Sequence, residues 1–186
     1  MLIAFYKPYG VISQFTPEHS GQRTLAEFKF PKNVYPIGRL DLDSEGLLLL
    51  SDEKELTDKL LNPKNAHERT YHVQVEGEIS AEALTKLEKG VLIQGQKTKP
   101  CKAKIIEDPK YAERNPPIRF RKSIPTSWIE LKLIEGKNRQ VRRMTAAVGF
   151  PALRLIRSAI GNFKLENLRE NEWRELNETE RGALQL

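Results

Sequence analysis

Cysteine is almost missing from this chain: Cys101 stands alone among 186 residues, so neither an internal disulfide nor a multi-cysteine zinc site is available. No apolar run approaches the roughly 20 residues that a helix needs to cross a bilayer. The N-terminal Met1 to Lys7 segment, MLIAFYK, lacks the basic start, long apolar stretch and small-residue cleavage site of a secretory signal. Internal repeats, low-complexity tracts and a clear linker are also lacking. These absences point to a soluble globular protein whose default location is the cytoplasm. A chain of 186 residues is enough for a single domain over 1–186, in one body or in two lobes meeting near residues 62–70.

Acid is scarce in two stretches where base is dense. Lys137 to Lys164 holds seven cations, Lys137, Arg139, Arg142, Arg143, Arg154, Arg157 and Lys164, and no carboxylate. Arg114 to Trp128 adds Arg114, Arg119, Arg121 and Lys122, again without an acid. Within a formal net charge of +6, these eleven cations leave −5 for everything else. Such segregation is the electrostatic footprint of a polyanionic partner, nucleic acid first. The plain alternative is a solvated charged face, which interspersed Glu would have favoured.

What is present in concentrated form is the stretch from Gly38 to Leu50, GRLDLDSEGLLLL, which sets Asp41, Asp43 and Glu45 between two glycines and then runs into four leucines. The leucines read as a fully buried strand. Three readings of the acids compete. Polar turns commonly precede buried strands, because Asp and Ser bond locally to backbone. A calcium-type loop is a second reading, since Asp41, Asp43, Glu45, Gly46 and Asp52 fall near its spacing. Against it, Asp52 stands where a bidentate Glu is needed and the leucines occupy a place for solvated ligands. The third reading makes one carboxylate a catalyst at the lip of a sheet.

Periodicity supplies the frame. Leu2 to Tyr6 reads as a strand closed by the turn Lys7-Pro8-Tyr9-Gly10. Thr24 with Glu27, and Asp52 with Glu55, have capping-box spacing for two helices, the second burying Leu56, Leu60 and Leu61 and ending at Asn62-Pro63. Arg69 to Glu76 alternates strictly, with Tyr71, Val73 and Val75 on one face. Ser80 to Lys89 reads as a helix, and Val91 to Ile93, Cys101 to Glu107 and Trp128 to Ile134 as strands. Arg114 to Ser127 is a stiff loop with Pro116, Pro117 and Pro125. Val141, Met144 and Val148 form the core stripe of a helix whose opposite side carries Arg139, Arg142 and Arg143. Leu153 to Phe163 is a long strand, Glu172 to Leu176 another, and Asn177 with Glu180 caps a terminal helix. The class is α+β.

Gly38-Arg39-Leu40-Asp41 with its leucine run resembles the signature of RNA pseudouridine synthases. Lys7-Pro8-Tyr9-Gly10, Arg69-Thr70-Tyr71-His72-Val73 and Glu135-Gly136-Lys137-Asn138-Arg139-Gln140-Val141-Arg142-Arg143-Met144 follow in the family's order and resemble its RsuA branch, as does Arg114-Asn115-Pro116-Pro117-Ile118-Arg119. Ser44 stands where the family usually has Thr and Arg69 where it has Lys, swaps that keep the hydroxyl and the charge. The resemblance covers about residues 2 to 175. It implies a mixed, mainly antiparallel sheet with peripheral helices and a central cleft. It also implies a bare catalytic domain, without the small N-terminal RNA-binding domain of the S4 type that the branch usually carries.

The implied activity is isomerisation of a specific uridine in large-subunit ribosomal RNA. Asp41 would be the catalytic carboxylate, either attacking the nucleoside or abstracting a ribose proton. Tyr71 would stack on the flipped base and assist removal of the C5 proton, and Arg142 would pair with Asp41. Arg39, Arg139, Arg143, Arg154 and Arg157 would hold the RNA backbone while Arg119, Arg121 and Lys122 clamp a flank. No metal, no small-molecule cofactor and no membrane are implied, and the protein is expected to be a monomer. The rival functions are a non-catalytic ribosomal RNA binder or assembly factor, which the basic segments alone would justify, and a magnesium-dependent nuclease using Asp41, Asp43 and Glu45.

Overall fold

A computed structural model describes residues 1–119, 121, 123–166 and 168–184; Lys122, expected at the RNA clamp, lies outside the described residues. The chain divides into two compact units, residues 1–67 with 157–186, and residues 68–156.

The first unit is built on two apolar strands. In β1 (Leu2–Lys7) and β3 (Glu45–Ser51) every residue is buried, which is why both read as continuous apolar runs without alternation. They pair antiparallel from Leu2 opposite Ser51 to Lys7 opposite Gly46. The sheet order here is β11-β1-β3-β9, with β11 spanning Trp173–Glu175 and β9 Ala152–Ile160. The short β2 (Tyr35–Pro36) pairs with β3, and β10 (Phe163–Lys164) folds back on β9. Ile3, Phe5, Leu40, Leu48 and Leu50 form the core with Val11, Leu25 and Val34. Each leucine withdrawn from water contributes roughly 2 kcal/mol. Phe5, Phe28 and Phe30 interlock at centroid distances of 4.7 to 6.2 Å, and the Trp173 indole donates to the Phe28 carbonyl at 2.9 Å.

Helix α1 (Lys54–Leu61) departs from its expected start. Glu53 is the N-cap and makes no side-chain cap bond, because Asp52 and Glu53 both accept from the Met1 amino group. Leu56 and Leu60 are buried, but Leu61 is exposed. The expected long strand over residues 153–163 is also divided: Gly161 takes φ 56° and turns the chain between β9 and β10. Helix α4 (Glu178–Ala183) has the full reciprocal capping box of Asn177 and Glu180.

In the second unit the sheet order is β9-β4-β8-β7, with β4 Arg69–Glu76, β8 Thr126–Leu133 and β7 Lys102–Ile106. The β4–β8 and β8–β7 pairs are antiparallel. Helix α2 (Ala81–Lys89) is capped by the Ser80 hydroxyl, which accepts from the Ala83 amide at 3.2 Å. The segment read as a strand at Val91 to Ile93 forms a separate two-stranded ribbon, β5 (Leu92–Ile93) with β6 (Gln96–Lys97). Helix α3 (Gln140–Ala147) buries Val141 and Met144 against Val73, Val75, Ile129 and Leu131. Among the described residues no helix is long and apolar enough to cross a membrane.

Candidate active site

The acidic turn of the first unit is held from several directions through its backbone. Ser13 is buried, and its hydroxyl both donates to the Leu40 carbonyl at 2.7 Å and accepts from the Leu40 amide at 2.9 Å. One side chain thereby satisfies both polar groups of the residue preceding Asp41. The Ser44 amide donates to the Asp41 carbonyl at 3.0 Å, and the Gly10 amide to the Leu42 carbonyl at 2.8 Å. Gly10 belongs to the turn after β1, so the two turns close on each other. Asp41 and Asp43 are half-buried, Leu42 between them is exposed, and Ser44 and Glu45 are buried.

Gly46 explains why this turn enters the strand with glycine. Its φ is 104°, and a Cβ there would run into the backbone amide and carbonyl of Arg157 in β9. The close approach brings Arg157 beside the acids. Arg157 is 5% exposed, and its guanidinium donates through Nε to the Leu47 carbonyl at 2.7 Å. Lys7 ends β1 with no exposed surface, donating through Nζ to the carbonyls of Pro8 at 2.9 Å and Val11 at 2.7 Å. Burial lowers its pKa from 10.5 to about 7 against the opposing pull of Glu45, Asp43 and Asp41, while Arg157 lowers it further. A buried ammonium is disfavoured by lost solvation, and nearby carboxylates only partly restore it. The site therefore holds three acids, a fully buried lysine and a buried arginine in one electrostatic neighbourhood.

The calcium-loop reading does not survive this geometry. Glu45 opens β3 and is fully buried, while Asp52 lies beyond its far end, bonded to the Met1 amino group. A seven-residue strand sets those two carboxylates roughly 20 Å apart. A ligating loop would have to bring them to one point. Among the described residues no three His, Cys, Asp or Glu side chains are arranged to hold a metal ion.

In the second unit Tyr71 lies in β4 opposite Leu131, half-buried against the core that includes Val141 and Met144 of α3. Arg142 of α3 is half-buried and donates through Nη1 to the Ala152 carbonyl at 3.3 Å. The cations expected to bind RNA are sorted differently from their expected common face. Arg39 and Arg119 are exposed. Arg139 is exposed too, but it precedes α3 as its N-cap at φ 50° and does not lie on the helical face. Arg143 donates to the side-chain oxygens of Gln94 and Asn138. Arg121 is exposed and pairs with Glu76 at 3.1 Å.

Arg154 and Arg157 are a correction to the expected basic face: at 6% and 5% exposure they offer little surface to a phosphate. Both sit in β9, where the strand is covered, and their guanidiniums donate to the carbonyls of Ala112 and Leu47. Arg114 likewise braces its own loop, donating to the carbonyls of Pro116 and Pro117 at 2.8 and 3.1 Å. Sequence reasoning passed over Lys7 and Ser13 as parts of the site. The available signal was a lysine ending an apolar strand immediately before Pro-Tyr-Gly, a poor place for a solvated charge.

The comparisons agree with this architecture. Residues 1–147 match the RNA pseudouridylate synthase family. The chain is 49% identical over 175 residues to the ribosomal large subunit pseudouridine synthase E of Vibrio vulnificus, covering 94% of this chain and 74% of that protein. It is 49% identical over 170 residues to the enzyme of the same description from Xanthomonas axonopodis pv. citri, with 90% of each covered. A crystal structure of a pseudouridylate synthase superposes with a TM-score of 0.80 at 28% identity, over 98% of this chain and 73% of that one. With its family motifs in order and the Asp41 turn seated on two buried strands, the chain belongs to the RNA pseudouridylate synthase family.

Proposed function

We propose that this protein converts a specific uridine of large-subunit ribosomal RNA to pseudouridine in the cytoplasm, acting as a monomer without a small-molecule cofactor. The names of its relatives from Vibrio and Xanthomonas support the substrate. The reaction breaks the C1′–N1 glycosidic bond, turns the base, joins C1′ to C5 and moves the C5 proton to N1. Atoms and electrons balance without an oxidant or reductant.

The observation that carries the reading is the seat of Asp41. Its backbone is fixed through Ser13, Leu40 and Ser44, and its carboxylate lies in the field of a fully buried lysine. Such pre-organisation suits a carboxylate that must act on one atom of a bulky substrate. In this reading Asp41 performs the carboxylate step, Tyr71 stacks on the flipped base and assists loss of the C5 proton, and Arg142 is the ion-pair partner of Asp41. Arg39, Arg119, Arg121, Arg139 and Arg143 supply the contacts to phosphate, Arg121 and Arg143 by exchanging their present partners for RNA.

Tritium release from large-subunit RNA labelled at uridine C5, measured with EDTA present, tests the assignment. Asp41→Asn keeps the shape and removes the charge, so release should become undetectable while filter binding of the same transcript stays within about threefold. Asp43→Asn and Glu45→Gln proteins that melt like the wild type should retain substantial activity. Release by Asp41→Asn at near wild-type rate would overturn the assignment of Asp41.

A further inference from the structure

The outer face of β4 is polar, and it meets the connection from β7 to β8, which carries Tyr111 and Ala112 just before the proline-rich loop. His72, Gln74 and Glu76 point away from the core face that carries Tyr71, Val73 and Val75, as strand alternation requires. Each of the three meets the loop or its end. The Tyr111 hydroxyl and His72 Nδ1 are 2.8 Å apart, Gln74 Nε2 donates to the Thr126 hydroxyl at 3.1 Å, and Glu76 pairs with Arg121 at 3.1 Å. From β9, Arg154 donates to the Ala112 carbonyl at 2.9 Å, and its guanidinium stands 5.8 Å from the Tyr111 ring centroid. Arg114 donates back to the Leu153 carbonyl at 3.4 Å.

Tyr111 makes ring contacts with two strands. Its ring lies 5.9 Å from that of His72 and 6.1 Å from that of Trp128 in β8. The other ring nitrogen of His72 is 3.4 Å from Glu130, which also pairs with Lys104. Burial lowers the pKa of His72 against the pull of Glu130. A neutral ring with its Nε2 hydrogen toward Glu130 accepts the Tyr111 hydroxyl at Nδ1. The connection thus spans three strands at one point, eight residues before Arg119. Arg119 is exposed, so its place depends on how the loop is moored.

We propose that Tyr111 is a positioning residue for RNA binding, mooring the proline-rich loop to the outer face of β4 so that Arg119 and Arg121 are held ready for the backbone flanking the target uridine. This rests on the reading that the protein acts on ribosomal RNA and grips it through that loop. A pre-moored loop loses less conformational freedom on binding, which raises affinity without touching the chemical step. The ordering cost falls on the free enzyme, so the effect belongs to KM and leaves kcat alone.

The experiment compares wild type, Tyr111→Ala, Tyr111→Phe and Arg119→Ala in tritium release and filter binding with the same large-subunit transcript. Tyr111→Ala should raise KM and the RNA dissociation constant by about tenfold, with kcat within about twofold. Tyr111→Phe keeps the ring contacts with His72, Trp128 and Arg154, so it should restore binding to within about threefold of wild type. Adding Arg119→Ala to Tyr111→Ala should weaken binding less than the product of the two single effects, because both act on one grip. Loss of kcat in Tyr111→Ala with KM unchanged would overturn the proposal, as would a lowered melting temperature with both constants unchanged. If wild-type protein releases no tritium from this transcript, the substrate reading has failed, and the mooring is then judged by the filter-binding ratios alone.

Discussion

In the acidic turn before β3, three carboxylates within five residues share one neighbourhood with a fully buried lysine and a buried arginine. In the basic run from Lys137 to Lys164, seven cations of one sign are dispersed. Arg139 is exposed before α3, Arg143 is tied to Gln94 and Asn138, and Arg154 and Arg157 are buried in β9. The difference lies in what holds the charge. The acids are placed by backbone hydrogen bonds that fix the turn itself, so neighbours in sequence stay neighbours in space. The cations ride on long side chains whose fate is set by which face of a strand or helix they leave from. Adjacent charges in the turn are one site, whereas adjacent charges in the basic run have separate duties.

The severest way to break the acidic turn is at Gly46. Gly46→Ala places a Cβ against the Arg157 backbone at a φ of 104°, and neither strand can yield without losing pairing. We expect a loss on the order of 4 kcal/mol or more, read as failure to recover folded protein or as a large drop in melting temperature. A melt within a few degrees of wild type would show that β9 does not lean on the turn as described.

Among the cations, Arg154→Met should lower stability by about 1 kcal/mol, because the buried Arg154 loses its part-buried bond to the Ala112 carbonyl. Arg119→Ala should leave the melting temperature unchanged. Chemical denaturation of the two variants in parallel tests the division between buried and exposed cations, and equal stabilities would erase it.

The buried lysine adds a dependence on pH. The Lys7 pKa is about 7 in the folded chain against an ordinary value of 10.5. Below about pH 7 both states hold the proton, and the folded state carries the cost of a buried ammonium. Between about 7 and 10.5 the unfolded chain binds more protons than the folded one, so stability rises with pH across that window. Lys7→Met should remove this rise. Denaturation midpoints of both proteins at several pH values read the difference, and parallel slopes would mean that Lys7 keeps its proton when buried.

The smallest effects belong to the exposed cations. Arg119→Ala and Arg139→Ala should each reduce the salt dependence of RNA binding by about one phosphate contact, measured by filter binding across a potassium chloride series. A salt slope unchanged in both would leave the RNA grip to other residues.

Strand and helix positions were largely legible from the amino-acid order, because burial imposes its period locally. Leu2 to Tyr6, the leucine run, Arg69 to Glu76 and the Val141 and Met144 stripe each announce their element without help from distant residues. The Asn177 and Glu180 cap was equally local. Misreadings fell where a distant partner intervened: Asp52 left its helix cap for the Met1 amino group, and Gly161 ended a strand that hydrophobicity alone would have continued.

Amino-acid order alone keeps Asp41, Asp43 and Glu45 together, since the five positions from 41 to 45 cannot separate far, and it sets Tyr71 on a core face, since alternation in β4 leaves no choice. Only the tertiary structure decided that Ser13, 27 residues away, bonds both polar groups of Leu40, that Lys7 is buried within the field of the acids, and that Arg154 and Arg157 are covered while Arg119 and Arg139 are not. Those outcomes depend on which strands become neighbours in the sheet. Pairing between segments a hundred residues apart leaves no local period in the chain from which it could be read.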